Sequence, residues 1–253
     1  MMTRNVRRKR MMTSWLCCSL MSVSGAIAAQ VQSGGVRADR LATTVGQPIT
    51  LSLALPDDAT WAEANVGQFI VRQSGGQRTV ETDSAASREI ALAFERPGYA
   101  LVAVGAGSAS QKGFRDSWQR TTYCTKFIVR VSDGSPKAPP PGTGLTAKVG
   151  GKVEIVPLMD PTQMSAGDDL PVRCYFEGDK LVGQAVTAIA PDGTSQSGNT
   201  DAVGATHFRM SEAGRWTVRF EREVEGVTYT AELIFEVPAP VAAGELRQKG
   251  DES

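Results

Sequence analysis

The sequence predicts an all-β protein made of two tandem antiparallel β-sandwich domains, and three observations carry that expectation. Apolar residues after position 40 alternate with polar ones at period two, as in Leu170-Pro171-Val172-Arg173-Cys174-Tyr175-Phe176, the pattern of strands with one buried face. Turn residues punctuate these runs at short spacing, and helix signals are scarce. A weak internal repeat then divides the chain. Val45 to Leu53 parallels Ala166 to Cys174, Glu95 to Val102 parallels Glu212 to Val218, and Tyr123 to Val131 parallels Tyr229 to Val237. Each half has about 100 residues of short strands, the size and pattern of an immunoglobulin-like or prealbumin-like sandwich.

Taken in order, residues 1–28 read as a cleaved signal peptide. Arg4, Arg7, Arg8, Lys9 and Arg10 precede an apolar stretch around Trp15, Leu16 and Leu20, and Ala26-Ile27-Ala28 has the small-x-small pattern of a signal-peptidase site. The expected address is periplasmic or secreted. Thr13, Ser14, Ser19, Ser22 and Ser24 interrupt the stretch and argue against a retained membrane anchor, so no membrane insertion is expected after cleavage. Residues 31–134 form the first sandwich. The Pro/Gly-rich linker 135–144 follows, because Pro136, Pro139, Pro140 and Pro141 cannot donate to a ladder. Residues 145–238 form the second sandwich, and 239–253 a polar, flexible tail.

The 27 basic and 27 acidic residues balance formally, but without the five cations of the first ten residues 22 face 27, a net charge of −5. A mildly acidic body has no basic field for nucleic acid. Two cysteines, Cys124 and Cys174, remain after the signal in a compartment that permits disulfides. Strand phase argues against pairing: Cys174 shares an apolar face with Leu170 and Val172, whereas Cys124 alternates with Lys126 and Arg130.

The run Glu154 to Pro161, then Ala166-Gly167-Asp168, Phe176 to Val186, Thr200 to Thr206, Ala213-Gly214-Arg215-Trp216 and Tyr229 resembles a bacterial family. It is the domain of unknown function numbered four-one-nine-eight, also described as a NikM-like periplasmic domain. The resemblance is clearest over residues 145–237 and implies a periplasmic sandwich with an envelope protein partner, accessory to a transport system. Members associated with nickel or cobalt place histidine near the mature amino terminus. Here that segment reads Ala29-Gln30-Val31-Gln32, and His207 is the one histidine.

No residue pattern declares a reaction, so the expectation is a non-catalytic binding or accessory module. The chain has no Gly-x-Ser-x-Gly, Ser-x-x-Lys or His-Glu-x-x-His constellation. No cofactor and no metal site is expected. His207 shares its strand face with Arg209, opposite Phe208 and Met210, and reads as a solvated strand residue. Asp160, Asp168, Asp169 and Asp201 could offer oxygens to calcium but read as turn residues. Partner contacts are placed on the irregular stretch Gly105 to Arg120, read as a long loop, whose Phe114, Arg115, Trp118 and Arg120 give the arginine-aromatic mix of binding hot spots. Alternatives are a periplasmic nickel- or cobalt-delivery protein and a carbohydrate-binding or adhesion module. Trp216 and Tyr229 are expected in the core.

Overall fold

A computed structural model describes residues 35–54, 60–62, 64–74, 76–82, 87–112, 118–135, 139, 142 and 144–239, with the backbone alone at 65, 108–112 and 118–120. The expected signal peptide, 1–28, and most of the expected tail, 239–253, lie outside these residues. The chain is all-β, as the alternation predicts. Its strands are β1 (Gly35–Ala38), β2 (Ala42–Thr44), β3 (Ile49–Ala54), β4 (Asn65–Gln73), β5 (Gly76–Thr79), β6 (Glu89–Leu92), β7 (Gly98–Lys112) and β8 (Trp118–Ser132) in the first half. The second half contributes β9 (Val153–Pro157), β10 (Asp169–Phe176), β11 (Asp179–Lys180), β12 (Ala185–Ile189), β13 (Ser195–Asn199), β14 (Ala205–Arg209), β15 (Gly214–Val224) and β16 (Val227–Val237). A 3-10 turn at Pro161–Gln163 follows β9, capped by Asp160, whose side chain accepts from the Thr162 amide.

The two halves share one sheet. It has nine strands, with β13-β12-β15-β16-β8-β7-β4-β5 in order and β2 on the β8 edge. The repeat explains the arrangement: β7–β8 and β15–β16 are corresponding antiparallel hairpins. They meet where β16 pairs in parallel with β8 over eight residues, from Val227 opposite Arg120 to Ile234 opposite Phe127. The ladder therefore crosses the boundary expected at the Pro/Gly-rich linker without a break.

Smaller sheets cover opposite faces of this shared layer. The sheet β1-β3-β6 closes one core with Val36, Ile49, Leu51, Val102, Val104, Phe127 and Val129. The sheet of β9, β10, β11 and β14 closes the other, with Ile155, Val172, Cys174, Trp216, Leu233 and Phe235. Leu101, Ala103, Cys124 and Ile128 of β7 and β8 belong to this second core. The first-half hairpin is thus buried on both faces, because alternate residues face opposite sheets. Fully burying each such Leu, Ile or Phe contributes about 1.5–3 kcal/mol.

Three expectations change here. Gly105 to Arg120 is strand wherever it is described: β7 continues to Lys112 and β8 starts at Trp118, and Ser108 pairs with Thr121, Gln111 with Gln119 and Lys112 with Trp118 past a register shift. Cys124 is 4% exposed rather than solvent-facing, because the second half covers its face; a Cβ at Gly151 would lie 2.8 Å from its Sγ. The third concerns Trp61, whose surrounding run 57–65 reads as loop-like in the sequence: it is fully buried, stacks on Phe69 with ring centroids 5.4 Å apart, and donates from Nε1 to the Arg88 carbonyl at 3.0 Å.

Candidate functional site

At the seam between the halves, alternation along β8 points Lys126 toward β9, where its ammonium and the Glu154 carboxylate are each 1% exposed. Lys126 Nζ donates to Glu154 Oε1 at 2.5 Å and to the Ile155 carbonyl at 3.0 Å. The carboxylate also accepts from the Val149 amide at 2.6 Å and from the Gly150 amide at 3.3 Å. Burial pulls the Lys126 ammonium below its usual range, opposed by Glu154. The pair spans the halves and is fully engaged, so it acts as a lock and is not a ligand site.

A second buried charge is less well served. Glu232 of β16 is 1% exposed and lies opposite Thr125 of β8 and Arg219 of β15. Its Oε2 accepts from Thr125 Oγ1 at 3.4 Å, and its Oε1 has no partner among the described residues. Burial pushes this carboxyl up to about 7, against the pull of Arg219.

The feature best formed to take a ligand is a groove of about 800 Å³. It opens where the sheet changes partners along one edge of β8. Register with β16 ends at Phe127, and register with β2 begins at Arg130. Its floor is apolar, from the buried Leu41, Ile128 and Val237, with Pro139 and Pro238 beside them. Polar groups line it as well: the half-buried Tyr99, the exposed Arg130 and Glu236, and Thr162 and Gln163 of the 3-10 turn. Tyr99 and Arg130 are register partners on β7 and β8, which places them on one face of the hairpin. Burial raises the Tyr99 phenol above its usual range, with Arg130 acting the other way. The Arg130 guanidinium makes no hydrogen bond or ion pair among the described residues. An apolar floor with few polar rim groups is the general form of a small-molecule site.

The residues expected to meet a partner fall elsewhere. Trp118 and Arg120 begin β8 on the outer stretch of the β7–β8 hairpin, Arg120 opposite Val227. Phe114 and Arg115 lie outside the described residues. His207 is exposed on β14, opposite Pro171, with Phe208 and Met210 buried. The aspartates hold turns. Asp160 accepts from Thr162, Asp168 from the Ser165 amide, and Asp201 from the Val203 and Ala205 amides, while Asp169 lies 4.0 Å from Arg209. Cys124 and Cys174 are buried and unpaired, and burial pushes the thiols up to about 11 and about 12. Among the described residues no three His, Cys, Asp or Glu side chains gather as a metal site. Sequence reasoning missed the groove, whose lining comes from separate segments of both halves and the linker.

Residues 39–224 match the family described as "Domain of unknown function (DUF4198)", and the chain belongs to it. No curated protein matches the chain. Among solved structures, it is similar to the BSP domain of a biofilm-associated protein, at 15% identity and a TM-score of 0.22, over 83% of this chain and 30% of that one. It thus spans under a third of that protein's length. A two-domain fibronectin type-III segment of chicken tenascin matches at 12% identity and a TM-score of 0.25, over 81% of this chain and 98% of that one. The CbhA fibronectin(III)-like modules of Clostridium thermocellum match at 11% identity and a TM-score of 0.24, over 81% and 94%.

Proposed function

We propose that this member of the family is an exported, non-catalytic binding module of the bacterial envelope, and that the groove between its halves is where it binds. The groove is the observation that carries the reading: about 800 Å³ lies within the range for drug-sized ligands. Export is supported by the basic, apolar and small-residue order of residues 1–28. A role beside a transport system rests on the family resemblance. The non-catalytic clause is supported by the lining, whose polar members Tyr99, Arg130, Thr162, Gln163 and Glu236 include no serine, cysteine, lysine or histidine. Trp118 and Arg120 at the start of β8, with Phe114 and Arg115 just before them in the sequence, are assigned to a protein partner.

The test is a thermal-shift screen of small organic acids, amines, alcohols and sugars against the mature protein and against Gln163→Trp, which fills the rim. The expected result is a stabilising class whose effect disappears in the filled variant. Ligands that stabilise both proteins equally, or a screen that stabilises neither, would overturn the groove as the binding site.

A further inference from the structure

We infer that the groove takes a small amphiphilic carboxylate, a monoanionic head on an apolar chain or ring, with Arg130 as its anchor. The inference rests on the groove being the binding site and adds the chemistry of its occupant. Above the buried Leu41, Ile128 and Val237, the half-buried Tyr99 and Pro139 and the exposed Pro238 and Ala239 offer apolar surface, and burying a ligand's chain against it contributes about 0.8 kcal/mol per methylene.

One cation stands over that floor. Alternation along β8 places Arg130 on the face of Ile128, next to Tyr99 across the β7–β8 ladder. Val237 has the same parity as Leu233 and Phe235, residues of the core on that face, whereas the exposed Glu236, which also lines the groove, has the parity of Glu232 and Ile234. Among the described residues no ion pair joins Arg130 to Glu236 or to any other carboxylate. Asp160, the carboxylate near Tyr99 on this side, accepts through Oδ1 from the Thr162 amide at 2.9 Å and the Thr162 hydroxyl at 2.7 Å. A planar fork of donors left without an acceptor matches a carboxylate in two-point geometry. The Tyr99 hydroxyl and Gln163 amide are further polar groups at the same rim.

A single anionic head is favoured over a larger anion, because the lining holds one arginine, one glutamate and no lysine. A small molecule is favoured over a peptide carboxyl terminus, because Pro139 and Pro238 border the groove and proline offers no donor for strand addition.

The test is calorimetry with three matched probes, decanoate, decanol and decyltrimethylammonium, on the mature protein, Arg130→Gln and Gln163→Trp. Decanoate should bind the mature protein best, lose about tenfold or more in Arg130→Gln, and bind neither better nor worse than decanol there. Gln163→Trp should abolish binding of all three. Decanol or the cation binding as tightly as decanoate, with all blocked in Gln163→Trp, would overturn the carboxylate and leave the groove standing. Decanoate binding that survives in Gln163→Trp, or no decanoate binding at all, overturns the inference. A carboxy-terminal tetrapeptide with an apolar last residue that outcompetes decanoate would overturn the small-molecule assignment.

Discussion

Replacing Glu232 by glutamine should stabilise the protein at alkaline pH and leave it nearly unchanged in acid. The carboxyl is 1% exposed, has one oxygen without a partner among the described residues, and is held at about 7 in the folded chain against an ordinary 4.5, chiefly by burial. Arg219 of β15 and Arg37 of β1 favour its ionised form, Glu221 opposes it, and Tyr123 of β8 lies nearby with its own phenol raised by burial. Because the folded value lies above the unfolded one, the folded state binds the extra proton between them. The stabilising contribution of protonated Glu232 is thus fully present below about pH 4.5 and is lost as pH rises through about 7. The displacement corresponds to about 3 kcal/mol. Glutamine is a neutral isostere, so the difference between variant and parent should open from near zero at about pH 4.5 to about 3 kcal/mol at about pH 8.5. In melting temperature that is about 6–12 °C for a chain of this size. Urea unfolding of both proteins across this range, followed by tryptophan fluorescence, measures it. A difference that stays constant with pH, or a variant less stable than its parent at about pH 8.5, would refute the reasoning.

Four further outcomes are expected. Lys126→Met should cost about 3–5 kcal/mol, because Glu154 is left as an uncompensated buried charge; the double variant Lys126→Met/Glu154→Met should recover part of the loss in the same urea assay, and a single variant as stable as the parent would remove the lock. Unfolding should be one cooperative transition by calorimetry, because the nine-stranded sheet and the second core draw on both halves; two resolved transitions would mean that the halves fold independently. Nickel and cobalt should bind the chelator-stripped mature protein no tighter than roughly millimolar, since His207 stands exposed and both thiols are protonated by burial; a stoichiometric micromolar site in calorimetry would promote the metal-delivery reading. Amino-terminal sequencing of envelope-fraction protein should start at Ala29 or Gln30, and an intact Met1 would refute export by cleavage.

Period-two alternation was sufficient for strand type and for most of the core, and it failed where a strand has two buried faces. β10 shows the success: Leu170, Val172 and Cys174 are buried, while Asp169 and the half-exposed Pro171 and Arg173 fall between them. β8 shows the failure. Cys124, Lys126 and Arg130 mark one of its faces as polar, and a polar face ordinarily meets water. Here β9 lies on that face and supplies Glu154, so a residue pair separated by 28 positions turns a charged face into a buried one. Nothing local to either residue announces the other. A signal did exist in the neighbouring residues. Phe127-Ile128-Val129 in β8, Ala100 to Val104 in β7 and Leu233-Ile234-Phe235 in β16 are continuous apolar runs, the mark of strands covered on both sides. Those three strands lie side by side in the centre of the shared sheet. Read together, the runs require a layer on each face of the hairpin, which the first half alone cannot provide. The same geometry creates the groove, because β2 and β16 share one edge of β8 in succession and leave the gap over Ile128. The docking of the halves and the candidate site are therefore one structural event, and a change that separates β16 from β8 should abolish both.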